Sequence, residues 1–202
     1  MPGDLELPLF PLQSVLFPDG LLELKVFEAR YLDLIAACLR AGTGFGVVSL
    51  SRGHEVRRTV EEVAFESVGT VAEILDVDST QTGILQVRCR GTARFEVTAS
   101  RQQADGLWLA VTTPIDDDVT VEPTAALEPA ARGLADAIAA LKDQGVEPFL
   151  APHRFDDAGW VANRWCEILP IPMPAKQKLM ALPDPLLRLE VVDDILRRKP
   201  NA

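Results

Sequence analysis

The sequence predicts an α+β protein whose strands precede most of its helices, and three observations carry that prediction. Leu85, Val87 and Cys89 alternate with Gln86, Arg88 and Arg90, the period of a half-buried strand. Tyr31, Leu34, Ile35, Cys38 and Leu39 fall at i, i+3, i+4, i+7 and i+8, so they share one face of a helix. Beyond the acidic stretch Pro114–Pro123, Leu127, Ala131, Leu134, Ile138 and Leu141 step by four and three, which is helical again.

Taken in order, Leu7–Leu50 reads as strand, turn, strand, helix, strand. Pro8, Pro11 and Pro18 remove backbone donors, so a strand there is expected to be broken, bulged or at an edge. Pro18-Asp19-Gly20 supplies a turn, and Phe27-Glu28-Ala29-Arg30-Tyr31 opens the helix. Gly42 offers the left-handed residue that ends many helices, and Gly44–Val48 resumes in extended form. Ser51–Glu62 is polar and reads as a loop or hairpin tip. Strand character returns from Ala64, with Asp76–Gly83 expected to form a turn before Ile84. Gly91 interrupts the next strand, and Phe95 and Val97 then alternate against Arg94 and Glu96. Ala104-Asp105-Gly106 predicts a hairpin turn before a strand through Leu107, Leu109 and Val111. The expectation is about six short strands, closed or nearly closed into a small barrel, with one inserted helix.

Asp116, Asp117 and Asp118 stand between two prolines and read as a linker or a solvated edge. The expected organisation is a β-rich domain over 1–115, an acidic linker over 116–123 and a helical bundle over 124–202. Within the bundle, Pro129 marks the first helix start and Gly145 its end. Asp156 or Asp157 caps a second helix carrying Val161, Trp165 and Ile168. Pro174 suits the first turn of a third, and Asp184-Pro185 caps a fourth that buries Leu189, Val192, Ile195 and Leu196.

The chain has 202 residues, 48% of them hydrophobic and 25% charged, enough to bury a core. Its formal net charge of −10 argues against sequence-independent binding to nucleic acid and against an anionic membrane surface. No apolar run reaches the roughly 20 residues of a membrane helix. Asp4 and Glu6 are unlike a signal peptide, so the cytoplasm is the expected compartment. Cys38, Cys89 and Cys166 are few, scattered and set in apolar patterns, so three reduced, buried thiols are expected.

The string LPLFPLQSVLFPDGLLELKVFEARYLDLIAACL resembles the amino-terminal substrate-binding domain of Lon proteases, in the form that occurs as a separate protein. Glu66–Asp76 (ESVGTVAEILD), Ile84–Val97 (ILQVRCRGTARFEV) and EILPIPMPAKQKLMALPDPLLRLEVVDDILRR fit the same family in the same order. The resemblance implies a PUA-like β pseudo-barrel followed by helices. It also implies binding of unfolded segments or of a partner protein, with an adaptor of a separate ATP-dependent protease as the alternative.

Catalytic chemistry finds little support. No GxxxxGK[ST] loop occurs, and no serine follows position 121 to act as the nucleophile of a Lon protease domain. His54 and His153 lie in polar loop contexts, and the cysteines and histidines lack the paired spacing of a zinc site. Arg88 and Arg90 could activate the Cys89 thiol, but strand alternation turns them to the other face. No cofactor is expected. Glu28 and Arg30 straddle the helix start and suggest a hydrogen-bonded tie. The competing reading makes Glu28, Arg30, Tyr31 and Arg94 a peptide-recognition surface. A third reading, RNA binding, rests on analogy with the RNA-modification domain for which the PUA-like fold is named; the sequence lacks a basic stripe with stacking aromatics and offers only a local patch of Arg88, Arg90 and Arg94. Phe10, Phe17, Phe27 and Phe45 are expected in the core.

Overall fold

The computed structural model describes residues 6–52 and 63–198. Six strands and one helix come first: β1 (Glu6–Leu12), β2 (Leu21–Val26), α1 (Ala29–Ala41), β3 (Phe45–Arg52), β4 (Ala64–Gln81), β5 (Ile84–Gln102) and β6 (Trp108–Pro114). Four helices follow: α2 (Glu128–Asp143), α3 (Ala158–Ile168), α4 (Met173–Ala181) and α5 (Pro185–Arg197). The class is mixed α+β. The chain divides into two compact units, one ending at Asp116 and the other beginning at Asp117. The expected polar loop is outside the described residues from position 53, and Ser51 and Arg52 complete β3.

The strands hydrogen-bond in the order β2-β5-β4-β3-β1-β6, and β6 also pairs with β5. Strands β5, β4, β3, β1 and β6 therefore form a closed circuit. One edge of β5 serves two neighbours in turn: Leu85–Arg90 face β2, and Phe95–Gln102 face β6. Between them the turn at Pro18-Asp19-Gly20 docks on Gly91, whose carbonyl accepts the Asp19 N–H at 2.8 Å. A Cβ at Gly91 would collide with the Phe17 carbonyl, so only glycine allows this approach.

Two expectations about strands are corrected. β1 lies between two strands despite its prolines, because its pairings are staggered. It meets β6 over Glu6–Leu9 and β3 over Leu9–Leu12, so Pro8 lies outside the β3 pairing and Pro11 outside the β6 pairing. The strands are also not all short. β4 continues through Gln81, and the turn before Ile84 is only Thr82-Gly83, with Gly83 at φ 80°. Asp76 and Asp78 tolerate the extension because they pair with Arg88 and Gln86 on the hydrophilic face.

Side chains from every strand of the circuit meet inside it: Leu9, Val48, Phe95 and Ala110, with Phe65 and Val71 of β4 beside them. Gly46 and Gly69 leave room for the Phe95 ring, since a Cβ there would lie 2.8 Å and 2.6 Å from its Cζ. A second core lies between α1 and the strands, where Tyr31, Leu34, Ile35 and Cys38 pack with Leu24, Val26, Val87 and Cys89. Tyr31 stacks on Phe10, centroids 3.9 Å apart and planes 11° from parallel. Leu39, expected on this face, is exposed, because its place in the last turn is furthest round the helix from the buried stripe. Gly42 ends α1 at φ 64°, donating to the Cys38 carbonyl.

In the second unit α3 is buried continuously from Ala158 to Cys166 and touches α2, α4 and α5. Asp157 caps it, accepting from the Gly159 and Trp160 N–H groups at 3.0 and 3.2 Å. Asp184 caps α5 in the same way, with Pro185 at its first position. Ile195 and Leu196, expected to be buried, are half-buried. Asp118 departs from a solvated acidic run: its carboxylate receives the buried Arg188 guanidinium, Nη1 to Oδ2 at 2.5 Å and Nη2 to Oδ1 at 3.2 Å. The other Arg188 donors reach Asn163 Oδ1 and the carbonyls of Leu179 and Leu182.

Candidate functional site

Residues 21–27 read Leu-Leu-Glu-Leu-Lys-Val-Phe, and the strand pleat sorts them onto two faces. Leu24 and Val26 point into the core with Leu22 packed beside them, whereas Glu23, Lys25 and Phe27 are exposed. Phe27 keeps 51% of its surface, which corrects its expected place in the core. The physical reason is parity: Phe27 has the odd number of the outward set. The signal was present in the sequence as this alternation.

Among the described residues β2 has one strand neighbour, β5, and its other edge is unpaired. The Gly91 N–H donates to the Gly20 carbonyl at 2.9 Å, which sets the phase of the ladder. Even-numbered residues exchange hydrogen bonds with β5, and Leu21, Glu23 and Lys25 direct their N–H and C=O groups to the free edge. Such an edge can accept another extended segment, and charged side chains beside it discourage indiscriminate pairing.

The edge leads into the start of α1, where three of the expected site residues stand together. Arg30 Nη2 meets Glu28 Oε2 at 3.0 Å, and Arg30 Nη1 donates to the Gly106 carbonyl at 2.8 Å. Its guanidinium carbon lies 4.5 Å from the centroid of the Tyr31 ring. Arg30 is 9% exposed and Tyr31 4%, so this is a tie between α1 and the β5–β6 turn. Glu28 occupies the N-cap position but makes no side-chain cap bond.

Arg94 is elsewhere and also buried, with Nη2 donating to the Asp116 carbonyl at 3.2 Å. It keeps the face opposite Phe95, as expected, but a bulge takes it off the solvent face of Arg88 and Arg90. Ala72 pairs with Gly91 but Thr70 pairs with Arg94, so β5 gains one residue and the parity reverses. Arg94 thus joins Thr70 and Ala72 on the face they share, while Phe95 enters the circuit's interior.

No basic patch forms from the three arginines. Arg88 Nε lies 3.4 Å from Glu23 and Arg90 Nη2 2.7 Å from Glu73, each across a strand pair. The Cys89 thiol is pushed up to about 12, chiefly by burial, and Cys166 likewise to about 12. Burial also raises Cys38. These are poor nucleophiles at neutral pH. Among the described residues, no three His, Cys, Asp or Glu side chains converge as metal ligands, and no helix is long and apolar enough to cross a membrane. His153 packs on Phe155 and Trp160, and His54 is outside the described residues.

The open edge of β2 thus lies beside a buried structural tie. Residues 6–198 match the model of the ATP-dependent protease La (LON) substrate-binding domain. The chain belongs to this family. It is 27% identical over 96% of its length to the Lon protease of Anaeromyxobacter dehalogenans and also to Lon protease 2 of Myxococcus xanthus. It spans only about a quarter of those relatives, 23% and 24% of their lengths. A crystal structure of a Lon N-terminal domain protein from Xanthomonas campestris is similar at TM-score 0.74 and 33% identity, covering 96% of this chain and 99% of that one. The N-terminal domain of the Mycobacterium avium complex Lon protease shares the fold at TM-score 0.63 and 16% identity, covering 96% and 100%. The matched region is the substrate-binding domain and not the ATPase or protease.

Proposed function

We propose that this chain is a non-enzymatic binding module, a PUA-like pseudo-barrel over 1–115 joined through 116–123 to a helical bundle. It holds exposed segments of unfolded proteins or of a partner protein in the cytoplasm and needs no cofactor. The observation that carries this reading is the open edge of β2 beside the exposed Phe27. An extended client adds as a strand there, its backbone satisfied by Leu21, Glu23 and Lys25 and its apolar side chains resting near Phe27. Glu28 and Arg30 hold the end of that edge in place, and Tyr31 and Arg94 support the fold from beneath.

Fluorescein-labelled casein, an unfolded protein, tests this by anisotropy. Glu23→Pro deletes an N–H aimed at the free edge and none aimed at β5, and it should weaken casein binding by about tenfold or more. Circular dichroism should remain that of the wild type. Undiminished binding by a folded Glu23→Pro variant removes the edge from the mechanism, and absence of casein binding by the wild type overturns the reading. The alternative reading is an adaptor or regulator of a separate ATP-dependent protease. Co-purification of an ATPase with the wild-type chain would favour it.

A further inference from the structure

The free edge of β2 is complementary to itself. Because Leu21, Glu23 and Lys25 carry the outward backbone groups, two copies can join antiparallel only in registers that pair odd residues with odd and even with even. Centring the pair on Glu23 sets Glu23 against Glu23, and centring it on Lys25 sets Lys25 against Lys25. Centring it on Leu24 instead places Glu23 opposite Lys25 on both sides of the axis. The same register sets Leu21 against Phe27 on the outer face, and Leu22 against Val26 on the core face. Phe27, at 51% exposure, thereby gains an apolar neighbour across the pair.

The charges extend this match beyond the edge. Within one copy Asp76, Arg88 and Glu23 stand side by side across β4, β5 and β2, and Arg88 is 3.4 Å from Glu23. Lys25 makes no ion pair among the described residues, and its strand neighbour on β5 is the neutral Gln86. Lys25 of a second copy would continue the row as negative, positive, negative, positive. Opposite charges directly across a strand pair stabilise it and like charges destabilise it.

We propose that the β2 edge is a homodimer interface, in which two copies join antiparallel about Leu24 with reciprocal Glu23–Lys25 pairs. Client polypeptide and the second copy then compete for one edge, so dimerisation shields it when no client is present.

Charge exchange tests this by sedimentation equilibrium across a concentration series. Wild-type chain should show a monomer–dimer equilibrium. Glu23→Lys and Lys25→Glu each replace both reciprocal pairs by like charges and should raise the dissociation constant by about tenfold or more. Mixing these two variants restores opposite charges at both positions, so a heterodimer should form, and the doubly exchanged variant should dimerise with itself. Both side chains are exposed, which leaves the fold of each variant intact. A wild type that stays monomeric overturns the proposal, as does a dimer indifferent to the single changes or a mixture that fails to rescue. Casein binding is scored separately: a monomer that binds casein overturns the dimer and spares the functional reading. A dimer with rescue but no casein binding does the reverse.

Discussion

Arg30 shows how a two-residue spacing becomes a structural device. The sequence places Glu28 and Arg30 on either side of a helix start, and folding adds the third partner, the Gly106 carbonyl, from a turn far along the chain. A buried arginine without its carboxylate is an uncompensated charge, and a missing arginine leaves the Glu28 carboxylate without its ion-pair partner. Each of Glu28→Ala and Arg30→Ala should therefore cost about 3 kcal/mol, the range for breaking a buried pair. The double variant should lose less than the sum, because the second change removes a group already orphaned. Urea melts of the three variants measure this. The Gly106 carbonyl also accepts from Gln102 Nε2 at 3.0 Å, so the turn itself should persist. Wild-type stability in Arg30→Ala would mean that the tie contributes nothing to the fold.

At the level of elements, β5 and α3 each enclose a thiol that burial keeps protonated. In the unfolded chain a thiol ionises near about 8.5, whereas Cys89 and Cys166 are pushed up to about 12 in the fold. The native state therefore retains protons that the unfolded state releases above about pH 8.5, and stability falls as pH rises from there towards 12. Below that window both states are protonated and the thiols add no pH dependence. The urea midpoint should be flat from pH 7 to 8 on this account and decline by pH 10.5. A Cys89→Ala, Cys166→Ala variant should decline less steeply over the same interval. Iodoacetamide at pH 8 should modify these cysteines only after urea is added. Rapid labelling of the native protein would show that the thiols are reachable after all.

For the molecule as a whole, each unit carries its own centre. In the first it is the strand circuit and α1. In the second it is Arg188, whose guanidinium joins Asp118, Asn163 and the α4 end of the chain. Arg188→Met removes the buried guanidinium that ties Asp118, Asn163 and the end of α4 together and should cost the second unit about 3–5 kcal/mol. Hydrogen exchange reads where the loss falls. Protection should drop in α3 and α5 and persist in β4 and β5, because no bond of Arg188 reaches a strand. Equal loss throughout would show that the two cores unfold as one.

Local pattern alone determined most of the elements. The i, i+3, i+4 spacing from Tyr31 to Cys38 made α1, Asp157 and Asp184 capped their helices, and Pro18-Asp19-Gly20 and Asp105-Gly106 turned the chain. Neighbouring residues contain the information that these features require. The open edge was half legible: Leu21–Phe27 shows its alternation, but only strand pairing reveals which side of β2 is unoccupied. Tertiary structure decided the rest. Staggered partners admitted the prolines of β1, a one-residue bulge turned Arg94 inward, and a distant arginine claimed Asp118. Face and burial in a sheet depend on which strand lies opposite and in what register. That choice is made by hydrogen bonds and packing between residues far apart in sequence, where a period read along one strand cannot reach.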